Sequence, residues 1–172
     1  MERNESLFTG HEGLILSISI GRPNLMDTLR VTCSAEEDER EQYIAMTGED
    51  WDVDEIVTTI HRKTGPKFVF LFDDEEPVAI GGFDLLAPGV WQTWFIAKEG
   101  AWKHGKGITE HCRELIDVMF NEGARRIQIL ALTSRQQACK WYEKGLRMKQ
   151  ESVARNYGTS SEDVACYVRF RE

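Results

Sequence analysis

"AWKHGKGITEHCRELIDVMF", residues 101–120, decides how the chain is read. Two glycines flank a lysine. Apolar residues then recur at Ile108, Cys112, Leu115, Ile116, Met119 and Phe120, one face of an α-helix that Gly123 closes. A helix that starts on a Gly-Lys-Gly turn leaves backbone N–H groups bare at its positive end, a seat for an anion. Lys98, Lys103, His104 and Lys106 make a basic patch there, inside a chain of net charge −8. Glycines also serve as plain turn residues, so the flanking elements decide what the turn is for.

On one side, "GVWQTWFIA" (89–97) has the apolar bulk of a central strand. On the other, "RRIQILAL" (125–132) reads as a strand too. A strand–helix–strand crossover makes those two strands parallel neighbours. Farther upstream, "TLRVTCS" (28–34) reads as a short strand. "AEEDEREQYIAM" (35–46) reads as a helix with acids in its first turn. A second helix in 46–65 puts Val53, Ile56, Val57 and Ile60 on one face, and "KFVFLFDDEEPVAIGGFDLL" (67–86) reads as a hairpin with an acidic turn. Downstream, "TSRQQACKWYEKG" (133–145) reads as a helix with Ser134 and Gln137 as a capping box. Strands "RMKQESVARNY" and "DVACYVRF" close the chain. The expected fold is α+β: a mostly antiparallel sheet of six to seven strands, one β-α-β crossover and about four helices.

The 172 residues suit one domain. Residues 28–172 read as that domain. Residues 1–27 read as an extension containing the strand-like "GLILSISIG" (13–21), dispensable for the core and available for self-association or a partner. The acidic balance argues against nucleic acid. No apolar run is long enough to cross a membrane. The start has no signal-peptide h-region. Cys33, Cys112, Cys139 and Cys166 have neither a C-x-x-C pair nor metal-ligand spacing. The expected compartment is cytoplasmic.

The element order, with its Gly-rich turn, resembles the GNAT superfamily of acyl-CoA-dependent N-acyltransferases. The family's Gln/Arg-x-x-Gly-x-Gly/Ala signature falls on "HGKGIT", with His104, Gly107 and Thr109 at its three marked places. Its later Asn-x-x-Ala-x-x-x-Tyr feature falls on "RQQACKWYEKGL", which keeps Ala138, Tyr142, Glu143, Lys144 and Gly145. Arg135 stands for the asparagine and Leu146 for the phenylalanine. "PVAIGG" (77–82), Trp94, Phe95, Trp102, Arg113, Leu115 and Ile116 are also similar to GNAT-like internal virion proteins of short-tailed phages.

The resemblance implies acetyl-CoA as cofactor and a primary amine as acceptor. It implies cofactor contacts at Ile96, Ala97, Lys103, His104, Gly105, Lys106, Gly107, Ile108, Thr109 and Arg135. Tyr142 takes the place of the family's proton donor to the leaving sulfur. The general base stays open among Asp84, Gln92, Glu99 and water, with His111 expected toward solvent. Trp91 and Trp94 lie on opposite faces of one strand, one for the core and one for an acceptor pocket. Two readings remain: an N-acetyltransferase, or a GNAT-fold structural protein without the reaction, such as a virion component with virion partners.

Overall fold

Strands β1 (Ile18–Gly21), β2 (Lys67–Phe72), β3 (Glu76–Ala87), β4 (Val90–Ala97), β5 (Arg126–Leu132), β6 (Lys149–Ala154) and β7 (Val164–Phe170) form one sheet. The structure is a computed structural model and describes residues 17–172. The strand order is β1-β2-β3-β4-β5-β7-β6. Every neighbouring pair is antiparallel except β4 with β5, the parallel pair that the crossover requires. Helices α1 (Leu25–Cys33), α2 (Glu37–Thr47), α3 (Val53–Arg62), α4 (Gly105–Asn121) and α5 (Gln136–Lys140) complete the mixed α+β fold. No described helix is long and apolar enough to cross a membrane.

The two faces of the sheet carry different cores. Ile108, Cys112, Ile116, Met119 and Phe120 of α4 pack with Phe70, Ile127 and Tyr167 in the larger cluster. On the other face, Val31 of α1 and Ile56 and Ile60 of α3 pack on Val69 and Ile80. β4 feeds both. Trp91 and Phe95 border the larger core, whereas Trp94 and Ile96 border the smaller one.

Three local expectations change. Residues 28–34 are not a strand but most of α1. Asn24 and Asp27 form a capping box: Asn24 Oδ1 accepts from the Asp27 N–H at 2.8 Å, and Asp27 Oδ2 from the Asn24 N–H at 3.2 Å. The threonines tolerate the helix because their hydroxyls donate one turn back, Thr28 to the Asn24 carbonyl and Thr32 to the Thr28 carbonyl. The Ser134–Gln137 box does not form, since α5 starts after Arg135 with no side-chain cap.

The boundary expected at 27/28 falls inside α1, and β1 pairs with β2 from Ile18↔Phe72 to Gly21↔Val69. Ile18 is buried in the main core. Residues 17–27 therefore belong to the folded domain. Residues 1–16 of the expected extension lie outside the described residues.

Candidate active site

β4 and β5 pair at three positions only, Val90↔Arg126, Trp91↔Ile127 and Gln92↔Gln128. Beyond them the strands part, and α2 supplies hydrogen bonds to both freed edges. The Gln42 side chain donates to the Leu130 carbonyl (3.4 Å) and accepts from the Leu132 N–H (3.1 Å), standing in for the absent strand. On the β4 edge, the Glu36 N–H donates to the Ala97 carbonyl (3.0 Å), and the Ala97 N–H donates to Glu39 Oε1 (3.4 Å). By strand alternation, Phe95 directs its main-chain groups to the same side as Ala97. These groups meet no protein partner among the described residues.

A buried polar cluster sits at this fork. Arg135 Nε donates to Asp38 Oδ2 (2.9 Å), and its Nη2 lies 3.1 Å from Glu39 Oε1. Tyr142 follows on a π-helical turn (Trp141–Gly145) in which the Leu146 N–H reaches back to the Trp141 carbonyl at 2.9 Å. Gly145 is required there, because a Cβ would come within 2.4 Å of Trp141 Cδ1. Tyr142 is buried against Trp141 and Tyr167, and its hydroxyl has no hydrogen-bond partner among the described residues. Burial holds that hydroxyl well above the usual tyrosine range, so it keeps its proton. Burial also pushes the Glu39 carboxyl up to about 7. Arg135 opposes the shift, Asp38 adds to it, and the Ala97 N–H opposes it.

The start of α4 departs in part from expectation. A 3-10 turn (Ala101–His104) leads into it, and no side chain caps it. Lys103 and Lys106 are exposed beside it. The His104 ring stacks on Phe72 at 4.4 Å. Gly107 answers a packing need, since a Cβ there would lie 3.1 Å from two atoms of Ile18. The Thr109 hydroxyl donates to the Gly105 carbonyl and accepts from Trp141 Nε1 (2.8 Å), a brace between α4 and the π turn. Trp141 packs on Trp102 and Phe95, with ring centroids 4.9 and 5.3 Å away.

Of the residues expected to hold cofactor, Lys103, Gly105 and Lys106 thus gather at an open helix start. Ile108 is core, Ile96 faces the opposite side of the sheet, and Ala97 spends its main-chain groups on α2. Arg135 is committed to Asp38 and Glu39.

On the Trp94 face of β4, α2 and α3 enclose a cavity of about 350 Å³ lined by Glu39, Tyr43, Trp51, Ile60, Lys63, Asp84 and Trp94, among others. Trp94 is therefore the pocket tryptophan and Trp91 the core one. Asp84 is ion-paired with Lys63, whose ammonium lies 5.5 Å from the Trp94 ring centroid. Gln92 accepts from Gln128 at 3.4 Å, and Glu99 is exposed. His111 does not simply face solvent: Nε2 is 2.6 Å from the Ile18 carbonyl and Nδ1 is 3.2 Å from Glu114. A larger hollow of about 900 Å³ lies between Gly21–Pro23 and Thr64–Lys67. It lies away from the fork, and its Lys67 ammonium is held by carbonyls at the end of α3.

The description of the acetyltransferase (GNAT) family matches residues 25–146. The chain belongs to this family. An N-acetyltransferase from Staphylococcus aureus Mu50 superposes with a TM-score of 0.70 at 18% identity, over 91% of this chain and 99% of that one. A GNAT-family acetyltransferase from Bacillus anthracis gives 0.71 at 11%, over 90% and 95%. A point mutant of a spermidine N-acetyltransferase from Vibrio cholerae gives 0.68 at 12%, over 90% and 94%. At these identities the likeness speaks for the fold. No curated protein matches the chain significantly. The resemblance to phage virion proteins finds no counterpart among these matches.

Acetyl-CoA is the acyl donor of the family. The donor set present here fits it: an uncapped helix start with two lysines suits a diphosphate, and the unpaired main-chain groups of Phe95 suit an amide-bearing arm. Phe95, Glu39 and Gln42 escaped the sequence reading. Glu39 had one signal to offer. It shares the spacing i, i+4, i+7 with Tyr43 and Met46, which puts it on the inward stripe of α2 rather than among the solvated acids of the first turn.

Proposed function

We propose that this chain transfers an acetyl group from acetyl-CoA to the nitrogen of a primary amine. The observation that carries the reading is the fork after Gln92 and Gln128, where free main-chain groups, a protonated tyrosine and an uncapped helix start adjoin. Acetyl-CoA, when bound, supplies an acetyl group already activated as a thioester. Lys103, Lys106 and the first-turn amides from Gly105 would hold its diphosphate. A Cβ at Gly105 would make only ordinary contact, 3.5 Å from Trp102, so the approach is open. Phe95 would bond the amide-bearing arm as a neighbouring strand does. Tyr142 keeps its proton because it is buried, and it hands that proton to the departing thiolate. Arg135 anchors Asp38 and Glu39 rather than the cofactor.

Calorimetry with acetyl-CoA on the full chain tests the reading. Binding is expected at about 1 μM–1 mM, the usual range of enzyme substrates. A double change, Lys103→Glu with Lys106→Glu, should weaken it by about tenfold or more, most at low salt. No heat and no thermal shift at about millimolar ligand would overturn it.

A further inference from the structure

We propose that Glu39 is the base that takes the acceptor's proton, and that the acceptor is a small monoamine on a flat apolar body, seated between Tyr43, Trp51 and Trp94. The inference rests on the acetyl-transfer reading above and names its base and its substrate class.

Glu39 is 7% exposed, yet it is not sealed. Its Oε1 receives the Ala97 N–H and faces Arg135. Its Oε2 has no protein partner among the described residues and is absent from the buried atoms that lack one. The surface it retains lines the 350 Å³ cavity. The same carboxylate is tied to the β4 edge at Ala97, two residues from the free main-chain groups of Phe95. It therefore reaches both the acceptor cavity and the fork. The other carboxylate in the cavity, Asp84, is already neutralised by Lys63.

The walls decide the substrate class. Tyr43 and Trp51 meet edge to face at 5.4 Å, and Trp94 completes an aromatic lining with Ile56, Ile60 and Met46. About 350 Å³ is the volume of a small-molecule pocket. A diamine would bring a second ammonium to the Asp84 end, where Lys63 already sits over Trp94 and repels it. A monoamine meets no such repulsion, and its flat body stacks on the aromatic walls.

The protons and electrons balance. Glu39 takes one proton from the ammonium and later releases it to solvent. The freed nitrogen pair forms the new C–N bond to the acetyl carbon, and the C–S pair leaves with sulfur. Tyr142 protonates that sulfur and is reprotonated by the second proton leaving nitrogen. The products are an amide, a thiol and one released proton. The groups that set the charge state of Glu39 are Asp38 on α2, Arg135 before α5 and the Ala97 N–H of β4, and Tyr142 on the π turn feels its charge in return.

The test uses the full chain with phenethylamine, 1,4-diaminobutane and a short peptide bearing a free N-terminus. Phenethylamine should shift the intrinsic tryptophan emission without acetyl-CoA, because Trp51 and Trp94 line its seat, and should be the preferred amine in thiol-release assays. The kcat/KM of the parent should rise with pH through about 7. Glu39→Gln should bind phenethylamine as the parent does, lose about 10²–10³ fold in kcat and lose that limb of the profile. If Glu39→Gln fails to fold, the emission shift and pH profile of the parent still decide. Preference for the diamine or the peptide, no emission shift, or a Glu39→Gln profile equal to the parent's overturns this inference and leaves acetyl transfer standing. Acetyl-CoA that neither binds nor is consumed with any amine overturns both.

Discussion

Arg135→Met removes the cation that Glu39 faces and keeps an unbranched side chain in its place. The two side chains are 7% and 8% exposed, so water replaces the lost partner only in part, from the cavity side. Part of the cost is independent of pH: the hydrogen bonds to Asp38 and Glu39 disappear, at about 1–3 kcal/mol. The rest depends on pH. A glutamate starts from 4.5 and titrates at about 7 in the fold, with Arg135 pulling downward against burial. Without Arg135 it titrates higher. Between those two values the folded protein holds a proton that the unfolded chain has lost, so stability falls as pH rises. In the parent that fall ends at about 7, where the folded carboxyl ionises. In the variant it continues at about 1.4 kcal/mol per pH unit. The gap between parent and variant should therefore be constant below about pH 6 and about 2 kcal/mol wider near pH 8.5. Urea unfolding of both proteins at the two pH values reads this directly. The same gap at both would refute the reasoning. Adding Glu39→Gln to Arg135→Met should remove the pH-dependent part alone.

Tyr142→Phe should fold like the parent and bind acetyl-CoA with unchanged heat, while turnover falls by about 10²–10³ fold; equal turnover would remove Tyr142 from the mechanism. Gly107→Ala should lose about 1–3 kcal/mol in thermal unfolding, because the new methyl crowds Ile18, and Ile18→Ala should recover part of it. A truncation beginning at Thr28 removes β1 and the Asn24 cap of α1, so its thermal midpoint should drop. A midpoint equal to the parent's would show that β1 is dispensable.

What could be read from sequence was local. The crossover around α4, the hairpin of β2 and β3 and the closing strands all follow from periodicity and turn residues, and the structure has them. α1 was misread because Thr28, Val31 and Thr32 favour strands by shape. The Asn24–Asp27 box and two backward-bonding hydroxyls override that preference. At the candidate site, the open start of α4 was legible and the purpose of its second glycine was not. Ile18, which needs that space, stands 89 positions away in the chain. Gln42 and Glu39 act on strand edges reached only after folding, and no spacing within α2 announces those edges.

The three-pair joint between β4 and β5 has a consequence for how the chain assembles. It divides the sheet into two leaves, β1 to β4 and β5 with β7 and β6. Within the first leaf, β2, β3 and β4 follow one another in sequence and pair as hairpins; within the second, β6 and β7 do. Such neighbours close short loops and form early. The parallel register across the joint must span the whole of α4, yet it holds Val90 to Gln92 alone. The slow search is thereby confined to one short seam, and that seam should also be where the leaves separate most readily, with its amides the first of the strand-paired amides in the central sheet to exchange with solvent.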